Sequence, residues 1–163
     1  MCVIALAVIA DTPGGAIFRQ RRVGREGRAF VCYKFRTMYR SAPKSCPKSR
    51  LCEPQRYVTP VGRFLRRTSL DELPQLFNVL VGDMSLVGPR PLVAEEGEIH
   101  RLRQRCGVYR LRPGLTGLSQ ISGRDGIGDI EKVRLDTRYV RDVSLKADAR
   151  ILLGTLRHAA TGR

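Results

Sequence analysis

Apolar positions recur with several different periods along these 163 residues, and each period predicts an element. Met1-Cys-Val-Ile-Ala-Leu-Ala-Val-Ile-Ala10 is an unbroken apolar run ended by Asp11. It reads as a buried strand, a buried helix or one piece of a shallow membrane insertion. Thr12-Pro-Gly-Gly15 is turn chemistry, and the β-favouring runs 16–20 and 30–36 flank Arg21–Arg28, whose glycines at 24 and 27 predict a hairpin with a basic tip. Residues 41–56, rich in Pro, Ser and Lys, read as a variable loop outside the core. Thr59-Pro60 opens a helix, with Thr as N-cap and Pro in the first position, and that helix is expected to carry Arg63, Arg66 and Arg67 towards the stretch that follows.

In that stretch Leu73, Leu76, Phe77 and Leu80 fall at i, i+3, i+4 and i+7, which predicts one buried helix face. Pro74 lacks an N–H and fits only a first turn, so the helix is expected to start near Asp71. Gly82 is expected to end it, and Gly88-Pro-Arg-Pro91 is a rigid turn that lowers the entropy cost of presenting Arg90. Residues 92–105 predict a helix that begins acidic (Glu95, Glu96, Glu98) and ends basic, as the helix dipole favours. Residues 129–143 are expected to be helical. Ser144 then caps a last helix on which Leu145, Ala149, Leu152, Leu153 and Leu156 predict a core-packed stripe.

The length suits one domain, residues 1–163, with a genuine core, and 42% hydrophobic residues is ordinary for a folded chain. The charge changes the picture more. A net +15 and a pI near 10.6 favour polyanionic partners: nucleic acid, anionic lipid headgroups or phosphorylated substrates. Only 6% of residues are aromatic, and neither an RNP-like pattern nor helix-turn-helix spacing is present, so a nucleic-acid-binding module is the weaker alternative and no nucleic acid is expected. Five cysteines, an odd and irregularly spaced set, fit reduced thiols, and with His100 and His158 far from them no zinc pattern assembles. The apolar run 1–10 is shorter than the about 20 residues a spanning helix needs, and it lacks the basic region of a signal peptide. Glycines at 114, 117 and 123 lack GxGxxG or Walker spacing and imply tight turns or close approach to a ligand.

The candidate chemistry lies in the adjacent carboxylates Asp71 and Glu72. Ser69-x-x-Glu72 matches a capping box, in which Glu72 only satisfies a backbone donor. Alternatively, two carboxylates at the positive end of a helix dipole stay ionised and serve as nucleophile or metal ligand.

Taken in order, Phe18–Gly24, Tyr33–Met38, Val61–Leu80, Gly82–Pro91, Arg112–Gln120, Asp136–Tyr139 and Ser144-Leu145 resemble the bacterial sugar transferase family, the monotopic polyprenyl-phosphate phosphoglycosyl transferases. The resemblance implies a mainly helical domain with a small N-terminal β-hairpin, lying on the cytoplasmic face of the bacterial inner membrane. It implies transfer of a sugar 1-phosphate from a nucleotide diphosphate sugar, usually a UDP-sugar, to polyprenyl phosphate, with Mg²⁺ and a covalent enzyme intermediate, as the first step of surface-glycan assembly. By motif, Asp71 is the nucleophile that releases UMP. Glu72 is its partner, as a metal ligand or as the group that manages the acceptor's proton, and the pair is the implied Mg²⁺ site. Arg90, Lys34 and Arg36 are the implied phosphate contacts, and Arg63, Arg66, Arg67 and Arg124 are further candidates for phosphate or headgroup. Family members normally begin with a longer apolar segment that enters the membrane and turns back. Residues 1–10 are therefore expected to be the remnant of that re-entrant segment, and an inactive, truncated family member is the alternative reading.

Overall fold

The structure, a computed structural model, describes residues 1–42, 54–123 and 126–161. The apolar run at the start is a helix, α1 (Cys2–Asp11), with Val8 buried against Ala16, Phe35 and Leu65. Strands β1 (Ile17–Val23) and β2 (Ala29–Phe35) form the expected antiparallel hairpin, with Ile17 opposite Phe35 and Val23 opposite Ala29. β1 takes in Arg21, Arg22 and Val23, so the tip is shorter than the sequence suggested. Most of the predicted loop 41–56 lies outside the described residues, and Pro54–Tyr57 is a short 3-10 turn.

Helix α2 (Pro60–Thr68) begins as its sequence dictates. Thr59 Oγ1 accepts from the Gly62 N–H at 2.9 Å, and Asp11 Oδ2, arriving from the end of α1, accepts from the Val61 N–H at 3.2 Å. The first turn has backbone donors with no intrahelical partner, and these two side chains take two of them. Gly62 lies on the backbone of Thr37, where a Cβ would stand 2.2 Å from the Thr37 carbonyl oxygen.

After α2 the chain departs from expectation. Ser69 adopts a left-handed conformation (φ 58°), Leu70–Glu72 form a single 3-10 turn, and helix α3 (Gln75–Leu80) starts only after Pro74. Of the predicted buried face, Leu73 precedes α3 and packs, partly buried, against the core of Val8, Phe35 and Leu65, while the part carried by α3 is turned outward. Leu76, Phe77 and Leu80 are exposed, Leu80 to 84%, while Gln75 and Asn78 are buried at 3% and 0%. The inward face is set by hydrogen bonding: Asn78 reaches the backbone of β2, and the helix must present it there.

Beyond α3, β3 (Ser85–Val87) pairs in parallel with β4 (Gly114–Thr116), a ladder too short for any sequence pattern to announce. A Cβ on Gly114 would stand 2.1 Å from the Gly88 nitrogen, so the close approach that glycine permits here is of backbone to backbone rather than to a ligand. Helix α4 (Gly97–Arg105) starts later than residue 92, because Leu92 bridges to Val23 of the hairpin and is not available to a helix. The short α5 (Leu118–Ile121), then α6 (Asp129–Arg141) and α7 (Leu145–Thr161), complete the fold. Ser144 caps α7 through the Ala147 N–H at 3.2 Å. Its inner side carries Ile151 and Ala147, packed with Val87 and Tyr139. The predicted core stripe Leu145, Ala149, Leu152, Leu153 and Leu156 is exposed along its whole length, so this stripe too faces outward. Among the described residues no helix is long and apolar enough to cross a membrane.

Candidate active site

Three parts of the chain meet at Glu72. Its Oε1 accepts from Lys34 Nζ of β2 at 2.6 Å and from Arg90 Nη2, in the turn after β3, at 3.1 Å. Lys34 and Glu72 are each less than one-fifth exposed. Burial works to raise the Glu72 carboxyl, but Arg90 and Lys34 outweigh it and hold the group at about 2. Ser69 makes no side-chain cap, and the Glu72 N–H donates only to the Ser69 carbonyl at 3.2 Å. The capping box is therefore not formed, and the Glu72 side chain is committed to the two cations.

Asp71 is in a different state. Among the described residues its carboxylate accepts no hydrogen bond. Burial pushes its pKa up, with Glu72 adding to the rise, while Lys34, Arg66 and Arg90 pull against it. The pair stands on one 3-10 turn, not in the first turn of an α-helix, so the expected helix dipole is not what sets its ionisation. What keeps Asp71 within reach of ionisation is the ring of cations. Two adjacent carboxylates are thus driven apart in proton affinity, one firmly ionised and paired, the other unpaired and poised.

Of the residues singled out in the sequence, Lys34 and Arg90 come to the pair. Arg36 does not. Its guanidinium donates to the carbonyls of Pro13 (2.8 Å), Thr12 (2.9 Å) and Gly14 (3.3 Å), tying down the turn after α1. Of the α2 arginines, Arg63 and Arg67 are exposed. Arg66 donates through Nε to Thr37 Oγ1 at 2.8 Å and acts electrostatically on Asp71. Arg124 lies outside the described residues.

Asn78 is a residue the sequence reading passed over. Its Oδ1 accepts from the Tyr33 N–H at 3.2 Å, and its Nδ2 donates to the Val31 carbonyl at 2.7 Å and to Asp83 Oδ2 at 3.3 Å. It stands in for a neighbouring strand on β2, one residue from Lys34. The available signal is two amides three residues apart, Gln75 and Asn78, inside an apolar helical pattern. Asn78→Leu keeps the branched shape but swaps a buried amide for bulkier methyl groups and removes its bonds to the Tyr33 N–H and the Val31 carbonyl, so urea unfolding is expected to show a loss of about 2–4 kcal/mol.

The acid limb of stability should also be legible. Glu72 has a folded pKa depressed from 4.5 to about 2, so its ion pairs stabilise the fold above pH about 4.5 and that contribution is lost as pH falls towards 2. The depression corresponds to about 3 kcal/mol. Asp71, raised by burial, works in the opposite sense and gains as pH falls. The quantity to read is therefore the difference between wild type and Glu72→Gln in urea unfolding at pH 5 and pH 2.5, and it is expected to shrink by most of that amount at the lower pH.

For a metal, the donor set is small. Among the described residues no group of three or more His, Cys, Asp or Glu side chains converges. Asp71 and Glu72 therefore do not cage an ion. They do fit Mg²⁺, which takes one or two carboxylates and fills the rest of its octahedron with water and substrate phosphate.

The family model described as bacterial sugar transferase matches residues 1–162. The exopolysaccharide production protein ExoY of Rhizobium meliloti is 40% identical over 170 residues, covering 94% of this chain and 74% of that protein. UDP-glucose:undecaprenyl-phosphate glucose-1-phosphate transferase of Escherichia coli is 43% identical over 166 residues, 96% of this chain and 35% of its own. Galactosyl transferase CpsE of Streptococcus agalactiae is 44% identical over 161 residues, 91% of this chain and 35% of its own. The chain thus spans about a third of the length of several curated relatives that it matches.

Proposed function

The chain belongs to the bacterial sugar transferase family, and from that premise we propose that it transfers a sugar 1-phosphate from a UDP-sugar to polyprenyl phosphate. In this reading residues 1–163 act as one catalytic domain. The observation that carries it is the divided carboxylate pair, with Glu72 locked between Lys34 and Arg90 and Asp71 unpaired beside the same cations.

The chemistry follows from that division. A carboxylate is repelled by a dianionic diphosphate, so the site must first cancel phosphoryl charge. Lys34, Arg66 and Arg90 supply fixed positive charge around Asp71. A Mg²⁺ ion held by Asp71, Glu72 and the diphosphate would add further charge neutralisation on the phosphoryl oxygens. Asp71 Oδ attacks the β-phosphorus, the bond from that phosphorus to the bridging oxygen breaks, and UMP leaves with the bond's electron pair. The product is an aspartyl phosphosugar. A phosphate oxygen of the polyprenyl acceptor then attacks the same phosphorus and displaces the Asp71 carboxylate. Two steps at one site let a soluble donor and a lipid acceptor react in turn. Glu72, pinned by its two ion pairs, orients Lys34 and Arg90 and is too acidic to take the nucleophile's proton.

The acceptor in this reading is a lipid, and the outward apolar residues support contact with a membrane surface, which the proposal takes to be the cytoplasmic face of the inner membrane. Val3, Leu6 and Ile9 of α1, Leu80 of α3 and the leucine stripe of α7 are all exposed, and the net charge of +15 suits anionic headgroups. The product begins a surface glycan in this reading, as the exopolysaccharide role in the name of the Rhizobium relative suggests.

The test is to incubate the protein with a UDP-sugar and Mg²⁺ without acceptor and measure intact mass. One sugar phosphate added per chain, together with one UMP released, is the expected result, followed by discharge of the adduct on adding polyprenyl phosphate. UMP release that appears only when both substrates are present, with no adduct at any time, would overturn the covalent route.

A further inference from the structure

Pro89-Arg90-Pro91 has a single backbone N–H, that of Arg90, so the turn can be held in place mainly through its carbonyls. Four consecutive carbonyls are each taken by a separate donor. The Pro89 carbonyl accepts from the Gly114 N–H of β4 at 2.9 Å, and the Leu92 carbonyl from the Val23 N–H of β1 at 2.9 Å. Between them, the Arg90 carbonyl accepts from Arg103 Nη1 of α4 at 2.7 Å, and the Pro91 carbonyl from Arg22 Nη1 of β1 at 3.0 Å. Both arginines are themselves braced. Arg103, 2% exposed, donates through Nη2 to Asp136 Oδ2 at 2.5 Å, and Asp136 Oδ1 accepts from Ser119 Oγ at 2.8 Å. Arg22 Nη2 donates to Gln20 Oε1 at 2.6 Å.

We propose that Arg22 and Arg103 are positioning residues, which grip the turn through the Arg90 and Pro91 carbonyls and so fix where the Arg90 guanidinium stands against Glu72. This deepens the transferase reading and rests on it. Neither arginine donates to the carboxylate pair, so neither is a catalytic residue. Burying a cation is costly, and apolar residues could fill the same space at no such penalty. Apolar packing, however, lets a turn slide by fractions of an ångström, whereas a planar guanidinium braced on one nitrogen and donating from another fixes distance and angle together. A lysine ammonium cannot hold both partners in that geometry. Misplacement of a phosphate-binding group by about 1 Å can cost about 100-fold in rate.

The experiment is a pair of double-mutant cycles with a second readout. Arg22→Met and Arg103→Lys are made alone and together with Arg90→Ala, and kcat/KM for UMP release is measured in each. Arg103→Lys keeps a positive charge beside Asp136, and Arg22→Met, which keeps most of the stem volume, covers the case in which an Arg103 variant fails to fold. Each single variant is expected to lose about 10- to 100-fold, with kcat falling more than KM rises, but less than about 3-fold when Arg90 is already alanine. In parallel, ¹⁵N relaxation of the Arg90 Nε–H is expected to show an order parameter falling to about 0.6 or below in both variants. Equal losses in the two backgrounds, or an Arg90 Nε that stays as rigid as in wild type, would overturn the proposal. If wild type releases no UMP, the transferase reading fails on that result alone, and the relaxation measurement then decides the clamp.

Discussion

Asp71→Asn is expected to lose at least about 10⁴-fold in UMP release while unfolding at nearly the same urea concentration as wild type. The two halves of this result come from the same fact. Asp71 is pushed towards its neutral form by burial and has no hydrogen-bond partner among the described residues. A neutral amide of the same size therefore removes a charge that the fold is poorly arranged to hold, and stability should change by no more than about 1 kcal/mol. An amide nitrogen or oxygen cannot form the acyl phosphate, so the proposed first step has no route. The measurement is single-turnover UMP release with intact mass for the adduct, beside a urea titration. If the variant releases UMP at the wild-type rate, Asp71 is not the nucleophile. If it is inactive but also unfolded, Asp71→Glu, which keeps the carboxyl, shows whether folding alone was lost.

Lys34→Met is expected to be the next most damaging change, for two separable reasons. It removes a partner from Glu72, leaving a buried carboxylate with Arg90 as the ion-pair partner, and should cost about 2–3 kcal/mol in stability. It also removes the cation that most strongly opposes the rise in the Asp71 pKa. In the proposed mechanism Asp71 must be deprotonated to attack, so the sign is fixed: without Lys34 its pKa rises further and the protonated form is favoured. The rate should fall by about 10²- to 10³-fold at pH 7, and the acid limb of the pH–rate profile should move to higher pH. Raising the pH should recover part of the loss. A variant that is slower by the same factor at every pH would mean that Lys34 acts on the substrate phosphates and not through Asp71.

What the sequence allowed and what it withheld divide along physical lines. The Thr59-Pro60 helix start and the Ser144 cap depend on neighbours three residues away, the hairpin on glycine-marked turn chemistry between two β-favouring runs, and all three formed. The α3 and α7 stripes were identified as stripes correctly and oriented wrongly. Periodicity says which residues share a helix face but not which face turns inward, and in α3 the buried amide of Asn78 outweighed three apolar side chains. Asp71 and Glu72 stood out as an adjacent pair, but nothing local distinguished a capping box from a paired carboxylate. Lys34 is 38 residues from Glu72 and Arg90 is 18, so their meeting was available only through the family resemblance. Arg36, which entered the same way, is spent on backbone carbonyls, as one more arginine among thirty Lys and Arg residues readily can be.

That wide spacing has a consequence for how the protein fails. Contacts closed over long stretches of chain form late and depend on everything between them being in place. The ion pairs of Glu72 require the hairpin, the 3-10 turn Leu70–Glu72 and the turn after β3 simultaneously, and the turn after β3 leans on α4 and α6. Partial opening of the C-terminal half should therefore silence the proposed transfer before the hairpin loosens. In a heat or denaturant series, loss of turnover should lead the loss of helical circular dichroism, so that catalysis serves as the more sensitive gauge of intactness.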